Sequence, residues 1–367
     1  MRRNSVVTFF PPLTIGLLGG GQLGRMLALA AAKLGLRVHV FAPEADSPAF
    51  EVVPAHTVGG YDDEAALTRF AQQVDVITYE FENVPAAAAA FLATLKPVRP
   101  GIAALDVAQD RLSEKRFLNG LGIATAPFHA VETLGEIEAG LAETGVPAIL
   151  KTRRLGYDGK GQVKIAALDE AAAAFAAMGG QPAILEGFVP FCREISVLVG
   201  RGLDGAIEVY DIPENVHREH ILRTSSVPAR IGSETARAAA ALGSQIAVAL
   251  DYVGVLAVEL FVVAGVAGES LVANEIAPRV HNSGHWTESV CDVSQFEMHV
   301  RAVAGLALGS ARRHADVVME NLIGDDVGRV AALMSDPSAR VHLYGKRVVR
   351  AGRKMGHVNH IRHTMAE

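Results

Sequence analysis

The chain has 367 residues, half of them apolar, and a formal net charge of −6, with a mean hydropathy of +0.25. This length suits two or three domains with a sizeable core, and the negative balance argues against a general nucleic-acid binder. No apolar run reaches the roughly 18 residues of a transmembrane helix, and the two cysteines, Cys192 and Cys291, lack metal-ligand spacing, so a soluble protein of the reducing cytosol is expected.

Residues 1–12 read as a loose extension, because Pro11 and Pro12 interrupt an apolar stretch that otherwise suggests a signal peptide. A strand at Thr14–Leu18, the segment Gly19-Gly-Gly-Gln-Leu-Gly24, a helix over Arg25–Leu34 and a strand at Val38–Phe41 make a βαβ opening. With Val74–Tyr79 as a further parallel strand, residues 13–105 read as a small doubly wound domain. Gly19, Gly21 and Gly24, with Glu44 about 20 residues further on, satisfy the dinucleotide fingerprint and taken alone point to NAD. Such a loop supplies only close backbone approach and helix N-terminal N–H groups, which will hold any phosphate or polar ligand.

A helix is expected over Arg111–Leu121, then strands at Ala148–Thr152 and Gln162–Ile165, an Ala-rich helix near Glu170–Met178 and a strand at Ile184–Phe188. Glu194–Val199 and Ala206–Ile212 pair, and a long helix covers Glu234–Leu250, giving the middle an α+β character. Lys151 ends an apolar strand, and the loop Gly156-Tyr157-Asp158-Gly159-Lys160-Gly161-Gln162 lies between two strands. Its backbone N–H groups can fold over triphosphate oxygens while Lys151 offers a point charge. The Gly-Lys-Ser/Thr ending and following helix of a Walker loop are absent, and an ordinary glycine-rich hairpin is the plain alternative. The strand bearing Glu186 can present backbone groups to an adenine edge, with Glu194 placed to accept from ribose hydroxyls. His217 and Arg223 lie in a polar segment that could reach substrate or phosphate.

Val255–Val263 and Leu271–Ala277 read as a hairpin. If its turn centres on Ala267, Glu259 faces Glu275. Opposed residues have Cβ atoms roughly 5 Å apart, where like charges destabilise the sheet unless a cation such as magnesium intervenes. A one-residue slip would instead send the two to opposite faces. Immediately afterwards Arg279, His281, Asn282, Ser283 and His285 crowd into seven positions, as in an active-site wall or a buried polar network. In the tail, Arg340, Lys346, Arg347, Arg350, Arg353, Lys354 and Arg362 occur with no acid between Asp336 and Glu367, a solvated face or a phosphate holder. Val341–His357 alternates like a short closing β-element.

The order Gly19-Gly-Gly-Gln-Leu-Gly-Arg25, Thr78-Tyr-Glu-Phe-Glu-Asn83, Gly156 to Gln162, Asn274-Glu-Ile-Ala-Pro-Arg-Val-His-Asn-Ser-Gly-His-Trp286 and Gly352-Arg-Lys-Met-Gly-His357 closely resembles one family. It is that of the 5-(carboxyamino)imidazole ribonucleotide synthases, the ATP-grasp ATPase subunit of phosphoribosylaminoimidazole carboxylase. The resemblance runs from Ile15 to about Asn359, and the His-Asn-Ser-Gly-His-Trp segment is its specific part. It implies an ATP-grasp fold, α/β and α+β, with a doubly wound pre-ATP-grasp domain at 13–105. An ATP-grasp domain at 106–310 would carry its lid at about 111–185, and a small β-rich domain would occupy 311–367. The implied activity is that of a carbon–nitrogen ligase of de novo purine synthesis: ATP- and bicarbonate-dependent carboxylation of 5-aminoimidazole ribonucleotide, through carboxyphosphate.

By the same resemblance Arg111, Lys151, Gly156 to Gln162, Glu186, Glu194 and His217 contact ATP, with Asn274 beside the magnesium ligands Glu259 and Glu275. Arg279 would take the carboxyphosphate, and His281, Asn282 and Ser283 would line its pocket. Lys346 and Arg353, with Lys354, would clamp the ribonucleotide phosphate, while Gln22, Leu23, Glu80 and Asn83 would meet the imidazole end. A cytoplasmic homodimer is implied. The nearest rival is a formate-using phosphoribosylglycinamide formyltransferase of the same fold; from other classes, an NAD-dependent dehydrogenase or a non-catalytic nucleotide-binding module.

Overall fold

The structure, a computed structural model, describes residues 13–156, 160–266 and 268–362. The expected extension at 1–12, the lid residues Tyr157, Asp158 and Gly159, and the turn residue Ala267 lie outside the described residues.

The first part alternates strand and helix: β1 (Thr14–Leu18), α1 (Gln22–Lys33), β2 (Arg37–Ala42), β3 (Ala55–Val58), α2 (Glu64–Ala71), β4 (Val76–Tyr79), α3 (Ala86–Ala93) and α4 (Ile102–Ala108). The strands form a parallel sheet in the order β3-β2-β1-β4. Nearly every residue of β1 and β4 is buried, which is why both read as apolar runs without alternation.

Next come α5 (Arg111–Gly120), β5 (Phe128–Val131), α6 (Leu134–Thr144), β6 (Ala148–Thr152), β7 (Gln162–Ile165), α7 (Ala171–Ala177) and β8 (Ala183–Gly187). These strands pair antiparallel as β5-β8-β6-β7. Ile137 and Leu141 of α6 and Ala171 and Ala174 of α7 pack with Leu150 and Leu185 into a small separate core.

The remainder comprises β9 (Arg193–Arg201), β10 (Ile207–Val209), β11 (Glu214–Arg218), β12 (Ile221–Val227), α8 (Ser233–Ala249), β13 (Gly254–Gly265), β14 (Gly268–Ala277), α9 (Thr287–Val290), α10 (Gln295–Val303), β15 (Asp316–Ile323), α11 (Val330–Met334), β16 (Ala339–Leu343) and β17 (Lys354–Arg362). A nine-stranded sheet runs β14-β13-β9-β11-β12-β15-β17-β16, with β10 paired on β9. The C-terminal strands therefore extend the central sheet, because β12 pairs with β15. The β11–β12 pair was expected only as a polar segment, since Glu214–Arg218 is rich in side chains that serve the sheet's open face rather than its core.

The parallel sheet and the central sheet share one core, in which Leu27 and Ala31 of α1 lie with Phe296 and Val303 of α10. His299 joins the two: its Nδ1 accepts from Val255 N at 3.1 Å, so the ring carries its proton on Nε2, 2.9 Å from Thr78 Oγ1. Burial lowers the His299 pKa to about 4, so the ring stays neutral.

Candidate active site

The acidic hairpin forms the floor. From its turn inward Gly265 faces Gly268, and that register, continued past the Leu260–Ala273 pair, would bring Asn274 opposite Glu259. A bulge intervenes: Asn274 is an extra residue in β14, and Glu259 faces Glu275. The Asn274 carbonyl accepts from Lys115 Nζ at 2.8 Å. Lys115, on α5 and 1% exposed, escaped the sequence reading because a lysine on a short helix is ordinarily solvated.

Each glutamate has its own partner. Glu275 accepts from Arg111 Nη1 at 3.1 Å, and Glu259 lies 3.3 Å from His281 Nε2. Burial, and then the Glu275 charge, push the Glu259 carboxyl up. For Glu275 burial acts in the same direction but Arg111 outweighs it, so that carboxylate is held below its ordinary value. Two opposed carboxylates, one destabilised by the other, are the hard oxygen set that suits magnesium.

Above this floor Arg111 joins hairpin and lid, since its Nη2 donates to Gly156 O at 3.2 Å. Its position is set by Asp110, the N-cap of α5, whose carboxylate accepts from Leu112 N and Ser113 N and is gripped by Arg153. Lys151 Nζ donates to Glu186 Oε2 at 2.9 Å, with Lys115 Nζ at 3.5 Å from the same oxygen. Burial opposes ionisation of Glu186, but the two ammonium groups outweigh it and hold its pKa at about 2. The other oxygen, Oε1, is buried and accepts no hydrogen bond, an acceptor ready for a ligand donor.

Across the cleft His217 Nδ1 lies 2.7 Å from Glu194 Oε2. Despite burial, Glu194, Glu259 and Glu275 together raise the His217 pKa. Gln162 Nε2 donates to His220 Nδ1 at 3.1 Å, linking the lid hairpin to the β11–β12 turn. Gly161 is required where it stands: φ is +70°, and a Cβ would lie 2.6 Å from Thr152 Oγ1. Lys160 beside it is exposed.

The wall after the hairpin is organised by a partner the sequence reading passed over. Arg279 makes a bidentate pair with Glu82, through Nε to Oε2 and through Nη2 to Oε1 at 2.8 Å. Arg279 and its hydrogen bond overcome burial and hold the Glu82 pKa at about 2. Glu82 belongs to the loop after β4, which Gln109 Nε2 clamps through Glu82 O and Val84 O. Asn83, expected at the imidazole end, lies in the same clamped loop, half-buried.

His281 Nδ1 contacts Ser283 Oγ at 2.8 Å and accepts from Ser283 N, leaving its Nε2–H toward Glu259. Burial, reinforced by Arg279, lowers its pKa to about 3, so the ring is neutral. Ser283, expected to line the same pocket, is fully buried; its hydroxyl bonds Ser196 Oγ at 2.6 Å beside His281 Nδ1. Asn282 is 7% exposed, yet neither its amide oxygen nor its nitrogen has a partner. His285 is fully buried, its Nδ1 engaged by Gln295 Nε2.

The glycine loop holds one of the protein's own carboxylates. Glu80 accepts from Gly21 N at 2.5 Å and from Gly24 N at 2.7 Å. A Cβ on Gly21 would lie 2.6 Å from Glu80 Oε1, and one on Gly19 would lie 2.6 Å from Glu80 Cγ. The N–H groups a dinucleotide pyrophosphate would use are therefore occupied, which removes the NAD reading. Gln22 Oε1 accepts from Lys346 Nζ at 2.6 Å, joining this domain to the tail. The side chain of Leu23, expected at the ligand, packs in the core. Lys354 lies close enough to the wall to help depress His281, whereas Arg353 Nη1 donates within its own loop to Val348 O at 2.8 Å.

Residues 116–296 match the ATP-grasp domain, 13–109 the ribonucleotide synthetase preATP-grasp domain and 317–367 the phosphoribosylaminoimidazole carboxylase C-terminal domain. The chain is 54% identical to the N5-carboxyaminoimidazole ribonucleotide synthase of Brucella melitensis, over 96% of this chain and 97% of that one. Among solved structures, the N5-carboxyaminoimidazole ribonucleotide synthetase of Thermus thermophilus superposes with a TM-score of 0.89 at 47% identity, covering 96% and 94% of the two chains. The Aspergillus clavatus synthase, solved with ADP and 5-aminoimidazole ribonucleotide, gives 0.89 at 30% identity with the same coverage. The chain belongs to the N5-carboxyaminoimidazole ribonucleotide synthase family of ATP-grasp ligases.

Proposed function

We infer that the protein carboxylates the exocyclic amine of 5-aminoimidazole ribonucleotide with ATP and bicarbonate, releasing ADP and phosphate, in purine biosynthesis. The observation that carries this reading is the opposed Glu259–Glu275 pair, with Arg111 above it and the Arg279–Asn282 wall beside it, in a chain 54% identical to a named synthase over almost its whole length.

In this reading the ATP phosphates lie between the hairpin and the lid. Arg111, Lys151, Asn274 and the residues from Gly156 to Gln162 would contact them, while Glu186, Glu194 and His217 would hold adenosine. Magnesium would be held by Glu259 and Glu275, whose oxygen donors suit it, and supplies charge neutralisation at the transferring phosphoryl group. A bicarbonate oxygen attacks the γ-phosphorus, the bond to the ADP oxygen breaks, and carboxyphosphate forms. Arg279, held rigid by Glu82, faces the anionic carboxyphosphate as a preorganised cation. Asn282 offers both amide atoms to the same group, and neutral His281 donates without adding charge. The amine then attacks the carboxyl carbon, the C–O bond to phosphate breaks with its electron pair passing to the departing phosphate, and that phosphate takes up the amine proton. Lys346, Lys354 and Arg353 receive the ribonucleotide phosphate, with Gln22, Glu80 and Asn83 toward the imidazole. We extend the reading to a cytoplasmic homodimer, as the resemblance implies; among the described residues no helix is long and apolar enough to cross a membrane.

The test is phosphate release from MgATP with bicarbonate, comparing no acceptor, 5-aminoimidazole ribonucleotide, and glycinamide ribonucleotide with formate. Stimulation by the imidazole nucleotide is expected. Stimulation by the glycinamide pair alone would transfer the chain to the formate-using chemistry.

A further inference from the structure

Beside His285, whose ring centroid lies 4.8 Å from that of His357, is a second cluster that the proposed reaction does not use. His342 of β16 and His357 of β17 face each other directly in the antiparallel pairing, and their rings stack with centroids 4.6 Å apart. Glu288, on the one-turn helix α9 packed against β17, brings Oε2 to 3.5 Å from His342 Nδ1. One ligand atom from each of the three lies within 4.8 Å of the others.

The partners of these groups are incomplete in a specific way. His357 is fully buried; its Nδ1 is engaged by Tyr344 OH at 2.9 Å, while its Nε2 has no partner at all. Glu288 Oε2 is shielded from solvent and accepts no hydrogen bond. Glu288 keeps 22% of its side-chain surface exposed, but a carboxylate oxygen shielded from water without a partner is costly, and neutral imidazole is the form that ligates metal. The Tyr344 contact to the other ring nitrogen of His357 is the kind of support that orients a metal-bound histidine.

We propose that Glu288, His342 and His357 bind a divalent transition ion of the zinc type, at a site separate from the Glu259–Glu275 pair. Two imidazole nitrogens and one carboxylate oxygen form a donor set that suits zinc and its neighbours and disfavours magnesium. His342 keeps 33% of its side-chain surface exposed, which gives the ion an entry from solvent and leaves room for a water as fourth ligand. The bound ion ties α9, which follows the Asn282–Trp286 wall, to the two strands that flank the Lys346–Lys354 loop, so its effect is on the stability of that end of the cleft.

The experiment is equilibrium dialysis of the full-length protein, freed of metal by a chelator, against zinc alone and against zinc in excess magnesium. Bound metal is counted per chain, and a cobalt(II) titration is followed in the visible spectrum. One zinc per chain is expected, undisturbed by magnesium, with a raised thermal midpoint and imidazole-type cobalt bands. Glu288→Gln and His342→Ala, the latter at a partly exposed position the fold tolerates, should each weaken zinc by at least roughly tenfold and abolish the thermal shift, while Glu275→Gln keeps both. No stoichiometric zinc in the wild type, or zinc retained in both site variants, or zinc lost only in Glu275→Gln, would overturn the proposal.

Discussion

Glu259 faces Glu275 only because Asn274 stands in β14 as an extra residue. Without that bulge the hairpin's own register would pair Glu259 with an amide, and the two carboxylates would not be directly opposed.

If those carboxylates hold magnesium, Glu275→Gln should lower metal affinity by roughly 10–100-fold. Phosphate release dependent on the imidazole nucleotide then falls sharply at limiting magnesium and recovers in part as magnesium rises. A titration of rate against magnesium, with folding checked by circular dichroism, reads this directly; an unchanged magnesium dependence would refute the assignment.

Lys115 supports both the bulge and Glu186. Its replacement in Lys115→Met removes a buried partner and leaves Glu186 to Lys151 alone, and breaking a buried pair costs about 3–5 kcal/mol. Urea unfolding should show a loss of that order, and the KM for ATP should rise as the Asn274 segment loosens. A variant as stable as wild type would mean that Lys115 is a bystander.

Glu82 and Glu186 both have folded pKa values of about 2, against 4.5 for the ordinary group. A lowered carboxylate pKa adds stability that is complete above the unfolded value and disappears as pH falls through the folded one. The protein should therefore lose stability steeply from about pH 5 downward. Glu82→Gln should be less stable at pH 7 but show a flatter decline in thermal midpoint on acidification. Parallel curves for the two proteins would show that the Arg279 pair contributes nothing.

Gly21→Ala places a methyl 2.6 Å from Glu80 Oε1 and forces that carboxylate off the loop N–H groups. An unsatisfied buried acceptor costs about 1–3 kcal/mol, a fall measurable in thermal unfolding. Because the loop holds Glu80, NADH should leave the thermal midpoint of the wild type unchanged.

Much of the framework was legible in the chain itself. The strands Ala148–Thr152 and Gln162–Ile165 stand where an apolar run, a glycine loop and a second run put them, and the βαβ opening and acidic hairpin were equally plain. These features rest on local backbone preference and burial period, which a short window of residues carries. The β11–β12 hairpin was missed because its strands are polar and its two-residue turn, Glu219–His220, carries no glycine or asparagine despite positive φ; β15 was missed because its pairing depends on strands far away in the chain.

The site divides along the same line. Residue types determined by themselves that a carboxylate pair, a glycine lid and a polar wall were present, because each is a local cluster whose chemistry is visible without a fold. Tertiary structure alone decided that Arg279 pairs with Glu82 rather than Glu80, that Ser283 is sealed behind His281, that Leu23 belongs to the core and that Lys115 props the bulge. Those outcomes turn on which distant side chains share a desolvated volume once the sheets close, and burial makes such pairings costly to leave unmade.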